Sequence, residues 1–178
     1  MDNWVNVVQK RGYPYKFADI GEFNRFKSEL KSGLDDIGIS SADVRIQGSS
    51  LRTPDANDID LVAMVTQSDF DNFVKVKFKD NIIKNGVKVD ISNMTNSQLK
   101  SLADDIVSNR SLYNSKAYQD FSYTINSQII NAKGSKNIIG GFKNLKNTIS
   151  SKYSSLNVEN IAIQPTGGGF DLKPFLKL

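Results

Sequence analysis

The stretch Val44-Arg-Ile-Gln-Gly-Ser-Ser-Leu-Arg-Thr-Pro-Asp-Ala-Asn-Asp-Ile-Asp-Leu-Val-Ala63 decides the fold that we expect for this chain. Apolar and polar residues alternate up to Gly48-Ser49, a short polar connection follows, and an apolar run resumes at Ile59. Alternation with a period of two is typical of a strand with one buried face. The stretch therefore predicts two strands, residues 43–48 and 58–66, joined through a turn.

Acidic residues accompany the predicted strands. Asp58 and Asp60 are two residues apart, so in a strand they point to the same face, about 6–7 Å from each other. A third acid, Asp90, lies in the apolar segment 87–92, which predicts another strand of the same sheet. Neighbouring carboxylates repel one another unless they bind a proton or a cation. We therefore predict that these three acids hold Mg²⁺ or Mn²⁺, which prefer hard oxygen ligands.

The Gly-Ser turn predicts a phosphate-binding role beside the acids. Gly48 lets the backbone come close to a ligand, and Ser49 adds a hydroxyl next to exposed backbone amides. Ser50 and Arg52 follow and offer a second hydroxyl and a positive charge. We predict that these four residues bind the phosphates of a nucleotide.

The combination of Gly48-Ser49, Asp58-x-Asp60 and Asp90 resembles the nucleotidyltransferase superfamily typified by DNA polymerase beta. In that pattern Gly-Ser follows a hydrophobic residue, Asp-x-Asp comes roughly eight to thirteen residues later, and a third acid lies on a later strand. The resemblance covers residues 22–92. It implies that the paired acids bridge two metal ions and that the third acid binds the ion nearer the acceptor and helps to draw off its proton.

The same resemblance implies an activity. A nucleoside triphosphate such as ATP would donate its nucleoside monophosphate to an acceptor hydroxyl and release pyrophosphate. The acceptor that we favour is the 3′ end of tRNA, with a protein or an antibiotic-like small molecule as alternatives. A catalytically inactive member that acts as a binding or antitoxin-like module is the alternative outside the enzyme class. The chain departs from many relatives at Thr53-Pro54 and Asn57, where they have Gly and Ser.

A narrower likeness concerns the segment before the Gly-Ser turn. The run Phe17-Ala-Asp-Ile-Gly-Glu-Phe-Asn-Arg-Phe26, the signature Ile46-Gln-Gly-Ser-Ser-Leu51 and the small size are similar to nucleotidyltransferase-type toxin domains of bacterial polymorphic toxins. This likeness implies action in the cytoplasm, delivery as the C-terminal part of a secreted protein, and a cognate immunity protein as partner.

Composition narrows the chemistry. The 178 residues contain no Cys and no His, which excludes disulfides, thiolate nucleophiles, imidazole metal ligands and a Ser-His relay. A general base must then be a carboxylate, a lysine or a metal-bound hydroxide. The sequence also has no apolar run of the roughly 20 residues that cross a bilayer and no signal-peptide pattern at its start, so we expect no membrane partner.

Charge is distributed unevenly along the chain. Residues 1–109 hold 14 basic and 16 acidic side chains, whereas residues 110–178 hold 9 basic and 3 acidic ones. Several lysines of the basic half recur at helical spacing, which predicts either a solvated helix face or a surface that binds the phosphates of an RNA acceptor. These lysines are Lys133, Lys136, Lys143, Lys146 and Lys152.

These patterns predict an α/β (α+β) protein with a small mixed sheet. Apolar residues three and four apart predict a helix over 20–37 before the first strand, and further helices over 68–78 and from residue 95 or 96 onward. Residues 115–155 are mostly helical in pattern, and residues 158–163 predict a late strand. We expect a catalytic core over residues 1–110 and a basic helical segment with a C-terminal strand over residues 111–178, packed on the core as one domain.

Overall fold

A computed structural model describes residues 4–39, 42–132, 141–169 and 173–178 of the chain. Its centre is a five-stranded mixed sheet, which confirms the predicted α+β class. The strand order is β5-β6-β2-β1-β7, and only the β2–β6 pair is parallel. The strands are β1 (Asp43–Gln47), β2 (Asp60–Val65), β5 (Ile130–Asn131), β6 (Asn160–Pro165) and β7 (Leu176–Lys177).

Helices and short helical turns cover one side of this sheet. The α-helices are α1 (Gln9–Arg11), α2 (Ile20–Asp36), α3 (Gln67–Phe78), α4 (Asn96–Ser108), α5 (Ser122–Ser127) and α6 (Phe142–Lys152). Short π- or 3₁₀-helical turns lie at Trp4–Val8, Ser49–Leu51, Arg110–Leu112, Ala117–Phe121 and Ser154–Leu156. None of the helices in the described ranges is long and apolar enough to cross a membrane.

The helix ends follow local sequence signals. Asp19 caps α2, because its carboxylate accepts the backbone N–H of Glu22 at 2.7 Å. Thr95 caps α4 in a capping box, in which its own backbone N–H donates to Gln98 Oε1 at 2.8 Å. Side-chain oxygens at these positions satisfy backbone donors that have no partner within the helix. The predicted positions of both helices are confirmed, while α3 is capped by Thr66 instead of Ser68.

The two faces of the sheet differ in composition. One face is apolar and lies in the main core with the helices; it carries Val44, Ile46, Leu61, Ala63, Val65, Ile130, Ile161 and Ile163. The opposite face is largely polar, as the strand register shows; it carries Asp43, Arg45, Gln47, Asp60, Val62, Met64, Asn131, Asn160, Ala162 and Gln164. Residues that alternate along a strand point to opposite faces, so the second set forms the other face of the sheet, on which Asp60 is exposed while Val62, Met64, Ala162 and Gln164 are buried.

The predicted strand at residues 87–92 is wrong. Only Val87–Lys88 (β4) is a strand, and it pairs with Ile83–Lys84 (β3) in a separate two-stranded hairpin. Its turn residues, Asn85 and Gly86, both have positive φ, as in the type I′ turn that joins two short strands tightly. The apolar pattern reflects instead burial of Ile91 in the core.

The strand beside β2 comes from much later in the chain. β6 pairs along the whole of β2, with Asp60 opposite Asn160 and Val65 opposite Pro165. Residues after 111 thus contribute β5, β6 and β7 to the same sheet as β1 and β2. The C-terminal segment that we expected to pack on the core therefore builds three of the sheet's five strands.

Candidate active site

The Gly-Ser turn and the acidic pair meet at the end of two adjacent strands. β1 and β2 are antiparallel with Gln47 opposite Asp60, so Gly48 follows directly beside that carboxylate. A Cβ at Gly48 would lie 2.1 Å from Asp60 Oδ2, and Gly48 has φ +84°. Only a glycine fits both the backbone conformation and the close approach. The structure thus brings together the two halves of the predicted site.

Carboxylates cluster around Asp60. Burial, which is the largest cause, and the charges of Asp58 and Glu159 all raise the pKa of Asp60. Asp58 lies two residues earlier in the chain, and Glu159 comes from the residue before β6. Each additional negative charge disfavours ionisation of its neighbours. Asp60 therefore binds a proton more readily than an isolated aspartate would.

The structure does not bring Asp90 to this cluster. Asp90 is exposed beyond the β3–β4 hairpin, and its Oδ1 accepts the backbone N–H of Ser92 at 2.9 Å. The hydrogen bonds of Ser92, followed by the charge of Lys88, lower the pKa of Asp90. Its predicted place beside Asp58 and Asp60 on one sheet is wrong, because residues 89–92 do not join that sheet.

Glu159 is the acid that sequence reasoning missed. Its signal was present, since an acid precedes the apolar strand that we predicted at residues 158–163. Spacing alone could not select it, because Glu159 lies about a hundred residues from the acidic pair and many other acids intervene. The parallel pairing of β6 with β2 is what places Glu159 near Asp60.

A cleft opens on the polar face of the sheet next to Asp60. Its volume is about 300 Å³, at the lower end of the range for ligand pockets. Of the predicted site residues, Gly48, Arg52 and Asp60 line it. The other described lining residues are Gln47, Leu61, Val62, Ile129, Asn131, Asn160, Ala162, Gln164, Lys173 and Pro174.

The two serines of the turn have different environments. Ser49 is exposed, and its backbone carbonyl accepts the N–H groups of Arg52 and Thr53 at 2.8 and 3.0 Å. Ser50 is completely buried, and its hydroxyl has no hydrogen-bond partner in the described residues. Neither serine lines the cleft among the residues that the structure describes. The predicted phosphate contact of Ser50 therefore has no support in this conformation.

Positive charge reaches the cleft from two directions. Arg52 follows the Gly-Ser turn, and Lys173 precedes the C-terminal strand β7. The guanidinium of Arg45 lies 3.9 Å from the centre of the Phe175 ring, which holds the C-terminal segment against the sheet. A site with acids at one wall and cations at another suits a ligand that carries both metal ions and phosphates.

The α6 lysines lie elsewhere and are partly neutralised. Lys152 Nζ contacts Glu29 Oε1 at 2.7 Å, and this pair lowers the pKa of Glu29. Lys143 and Lys146 are half-buried, and Lys146 lines, together with Glu159, a second cavity of about 370 Å³. Lys133 and Lys136 lie outside the described residues.

A divalent ion at the acidic cluster would need ligands beyond the protein carboxylates. No group of three or more His, Cys, Asp or Glu residues within the described ranges could hold a metal ion. Mg²⁺ commonly binds through one or two protein carboxylates and completes its shell with substrate phosphates and water. At this site Asp60 and Asp58 are the carboxylates that would do so; burial, followed by the charges of Asp58 and Glu159, raises the pKa of Asp60.

Comparisons with known proteins give no relative of this chain. The chain matches no protein-family model, and comparisons with curated proteins and with solved structures find no similar protein.

Proposed function

We propose that this protein is a metal-dependent nucleotidyltransferase that moves a nucleoside monophosphate from a nucleoside triphosphate to an acceptor hydroxyl. The observation that carries the proposal is the packing of the Asp60 carboxylate against the Gly48 backbone, with Asp58 and Glu159 as the neighbouring charges. An acid whose pKa is raised by burial and by neighbouring acids disfavours the folded state, and a bound cation would offset that cost.

Each part of the cleft has a task in this reaction. The turn at Gly48 and the charge of Arg52 bind the phosphates, while Asp58 and Asp60 would hold Mg²⁺ or Mn²⁺ together with those phosphates. When bound, such ions neutralise charge on the attacking and leaving oxygens of an in-line displacement. The acceptor oxygen bonds to the α-phosphorus as the bond to pyrophosphate breaks, and the acceptor's proton passes to a carboxylate. We assign that proton to Glu159, in place of Asp90.

Transfer of label from nucleotide to acceptor tests the proposal. Purified protein is incubated with each labelled nucleoside triphosphate, Mg²⁺ and total cell lysate, and the labelled product identifies nucleotide and acceptor together. The double variant Asp58→Ala/Asp60→Ala should lose at least a thousandfold in rate, about 4 kcal/mol of transition-state stabilisation. Asp55→Ala, an exposed acid of the same connection, is the matched control and should retain activity. Near-normal transfer by the folded double variant would refute the metal role of the pair.

We propose RNA, with the 3′ end of tRNA as the leading choice, as the acceptor. Support comes from the basic excess after residue 109 and from Lys146, which shares a cavity with Glu159. Each phosphate contact that is lost should reduce the slope of log affinity against log salt by about 0.7 on single strands. Replacing Lys143, Lys146 and Lys152 by Gln should flatten the slope, whereas Lys31→Gln/Lys79→Gln should leave it unchanged. Equal slopes would favour a protein or small-molecule acceptor.

A toxin role stays a prediction from the narrower likeness. Expression of the wild-type chain in a bacterial host should arrest growth, and the Asp58→Ala/Asp60→Ala chain should not. Growth arrest by both chains would show that toxicity does not depend on nucleotide transfer. Nucleotide binding without any transfer would instead favour the inactive binding or antitoxin-like module.

A further inference from the structure

A buried carboxamide forms the far end of the cleft. Gln164 lies on β6, is only 6 % exposed and lines the cavity that contains Asp60. Its Oε1 has no hydrogen-bond partner within the part of the chain that the structure describes. A buried polar atom without a partner costs free energy comparable to a lost hydrogen bond. At the wall of a cleft, such an atom is placed to receive a donor from a ligand.

The strand register gives the position of Gln164 relative to Asp60. Asn160 lies opposite Asp60, and Gln164 is four residues further along the same face. At a rise of about 3.3 Å per residue, the two levels are about 13 Å apart. One cleft therefore joins an acidic end at Asp60 to a carboxamide end at Gln164.

The floor between these ends is apolar. Val62 and Ala162 are opposite one another on β2 and β6, and with Met64 and the half-buried Ile129 they form a small hydrophobic cluster apart from the main core. A second unpartnered buried atom, Gln47 Nε2, lies at the acidic end, since Gln47 is opposite Asp60. The residues that line the cleft thus include one with an unpartnered donor opposite Asp60, apolar residues in the middle and one with an unpartnered acceptor beyond them.

We propose that this cleft reads the nucleobase of the bound nucleotide. The base lies over Val62 and Ala162, an exocyclic amino group or ring N–H donates to Gln164 Oε1, and Gln47 Nε2 donates to the sugar-phosphate end. This inference rests on the proposed function, because it places the phosphates of the same nucleotide at Gly48 and Asp60. Apolar contact with a ring face and a few placed polar groups at its edge are the usual way in which a pocket selects a flat ligand.

Binding measurements with and without a base test the inference. The affinities of ATP, GTP, CTP, UTP and inorganic tripolyphosphate are measured by calorimetry in the presence of Mg²⁺. Gln164→Leu should weaken the tightest nucleoside triphosphate by about tenfold, as expected for one hydrogen bond to a ligand, and leave tripolyphosphate unchanged. Gln47→Met should weaken all five probes similarly. Gln119→Leu, an exposed carboxamide outside the cleft, is the matched control and should change none.

The melting temperature of the ligand-free variants separates recognition from a structural role. Replacing a buried, unpartnered carboxamide by an apolar group should leave stability unchanged or raise it. A fall of several degrees in Gln164→Leu would identify a structural role and overturn the inference. Equal binding of all five probes by the wild type, or equal losses for the triphosphates and tripolyphosphate in Gln164→Leu, would also overturn it while leaving the proposed function intact. Binding of none of the probes would refute both.

Discussion

Two aspartates of this protein have opposite surroundings. Asp105, on α4, accepts hydrogen bonds from Lys84 at 2.7 Å, from Asn109 at 2.7 Å and from the Tyr113 hydroxyl. These bonds, led by that of Lys84, lower the pKa of Asp105 to about 2. Within the described chain the Asp60 carboxylate makes no hydrogen bond or ion pair, and burial followed by the charges of two acids raises its pKa.

The comparison distinguishes a carboxylate whose ionised form stabilises the native state from one whose ionised form destabilises it. Asp105 ties α4 to the β3–β4 hairpin and to Tyr113, so its ionised form stabilises the native state. The surroundings of Asp60 make its ionised form unfavourable. A bound ligand can offset this free-energy cost, and acids of raised pKa are therefore frequent at functional sites. Asp90, which Ser92 and Lys88 surround, resembles Asp105 in this respect and not Asp60.

The largest expected effect concerns the choice of the third acid. Glu159→Gln should lower the rate of nucleotide transfer about a hundredfold, about 2.7 kcal/mol, because it removes a carboxylate from the cluster around Asp60. Asp90→Asn should lower the rate less than threefold. The measurement is label transfer under single-turnover conditions. The reverse ranking would identify Asp90 as the third acid. The catalytically active conformation would then differ from the one described here.

Gly48→Ala should disturb the site and the fold together. The new Cβ would overlap Asp60 Oδ2, and Gly48 has φ +84° and ψ −158°, a region that only glycine adopts at low cost. We expect a loss of about 1–3 kcal/mol in the free energy of unfolding and at least tenfold in transfer. Gly86→Ala, which has φ +79° but no atom near its added Cβ, is the matched control. It should lose stability and keep its activity, and equal activity in both variants would break the link between Gly48 and catalysis.

Asp105→Asn should destabilise the protein in a way that depends on pH. The folded-state pKa of about 2 lies below the usual value of 3.8, so the stabilisation is present above pH 4 and disappears as pH falls through about 2. The melting temperature of the variant should be a few degrees below that of the wild type at pH 7, and the two should converge near pH 2. Melting temperatures across this range check the sign, and a constant difference at every pH would contradict it.

Asp60→Asn should have the opposite and smallest effect. A raised pKa means that ionised Asp60 disfavours the folded state, so the variant gains stability at pH 7 and the gain vanishes as pH falls below about 4. Because Asp60 is only partly buried and keeps contact with solvent, the gain should be only about 1 °C, a few tenths of a kcal/mol for a chain of this length. Mg²⁺ with ATP should reverse the order by stabilising the wild type alone. A loss of stability at pH 7 without ligand would show that Asp60 is structural.

Local signals predicted much of the fold. The apolar spacing of Phe23, Phe26, Leu30 and Leu34 located α2, and all four residues are buried. The Thr95 capping box located α4, and alternation located β1 and β2 nearly to the residue. Prediction failed where the same alternation of apolar and polar residues occurs in both a strand of a large sheet and a separate hairpin. The segment 87–92 has the alternation of a sheet strand, but Asn85-Gly86 closes it into a hairpin that never reaches the sheet.

The sequence by itself determined the turn, the acidic pair and the kinds of ligand atom that the chain can offer. Gly48, Asp58 and Asp60 lie within one local strand–turn–strand unit, and the lack of His and Cys limits the ligands to oxygen. Only the tertiary structure decided which distant residues complete the site, because β6 takes its place next to β2 through long-range pairing. That pairing brings the charge of Glu159 near Asp60 and Gln164 to the cleft, and it leaves Asp90 outside. Periodicity records which face of a strand is buried, whereas the order of strands depends on packing among segments that are far apart in the chain.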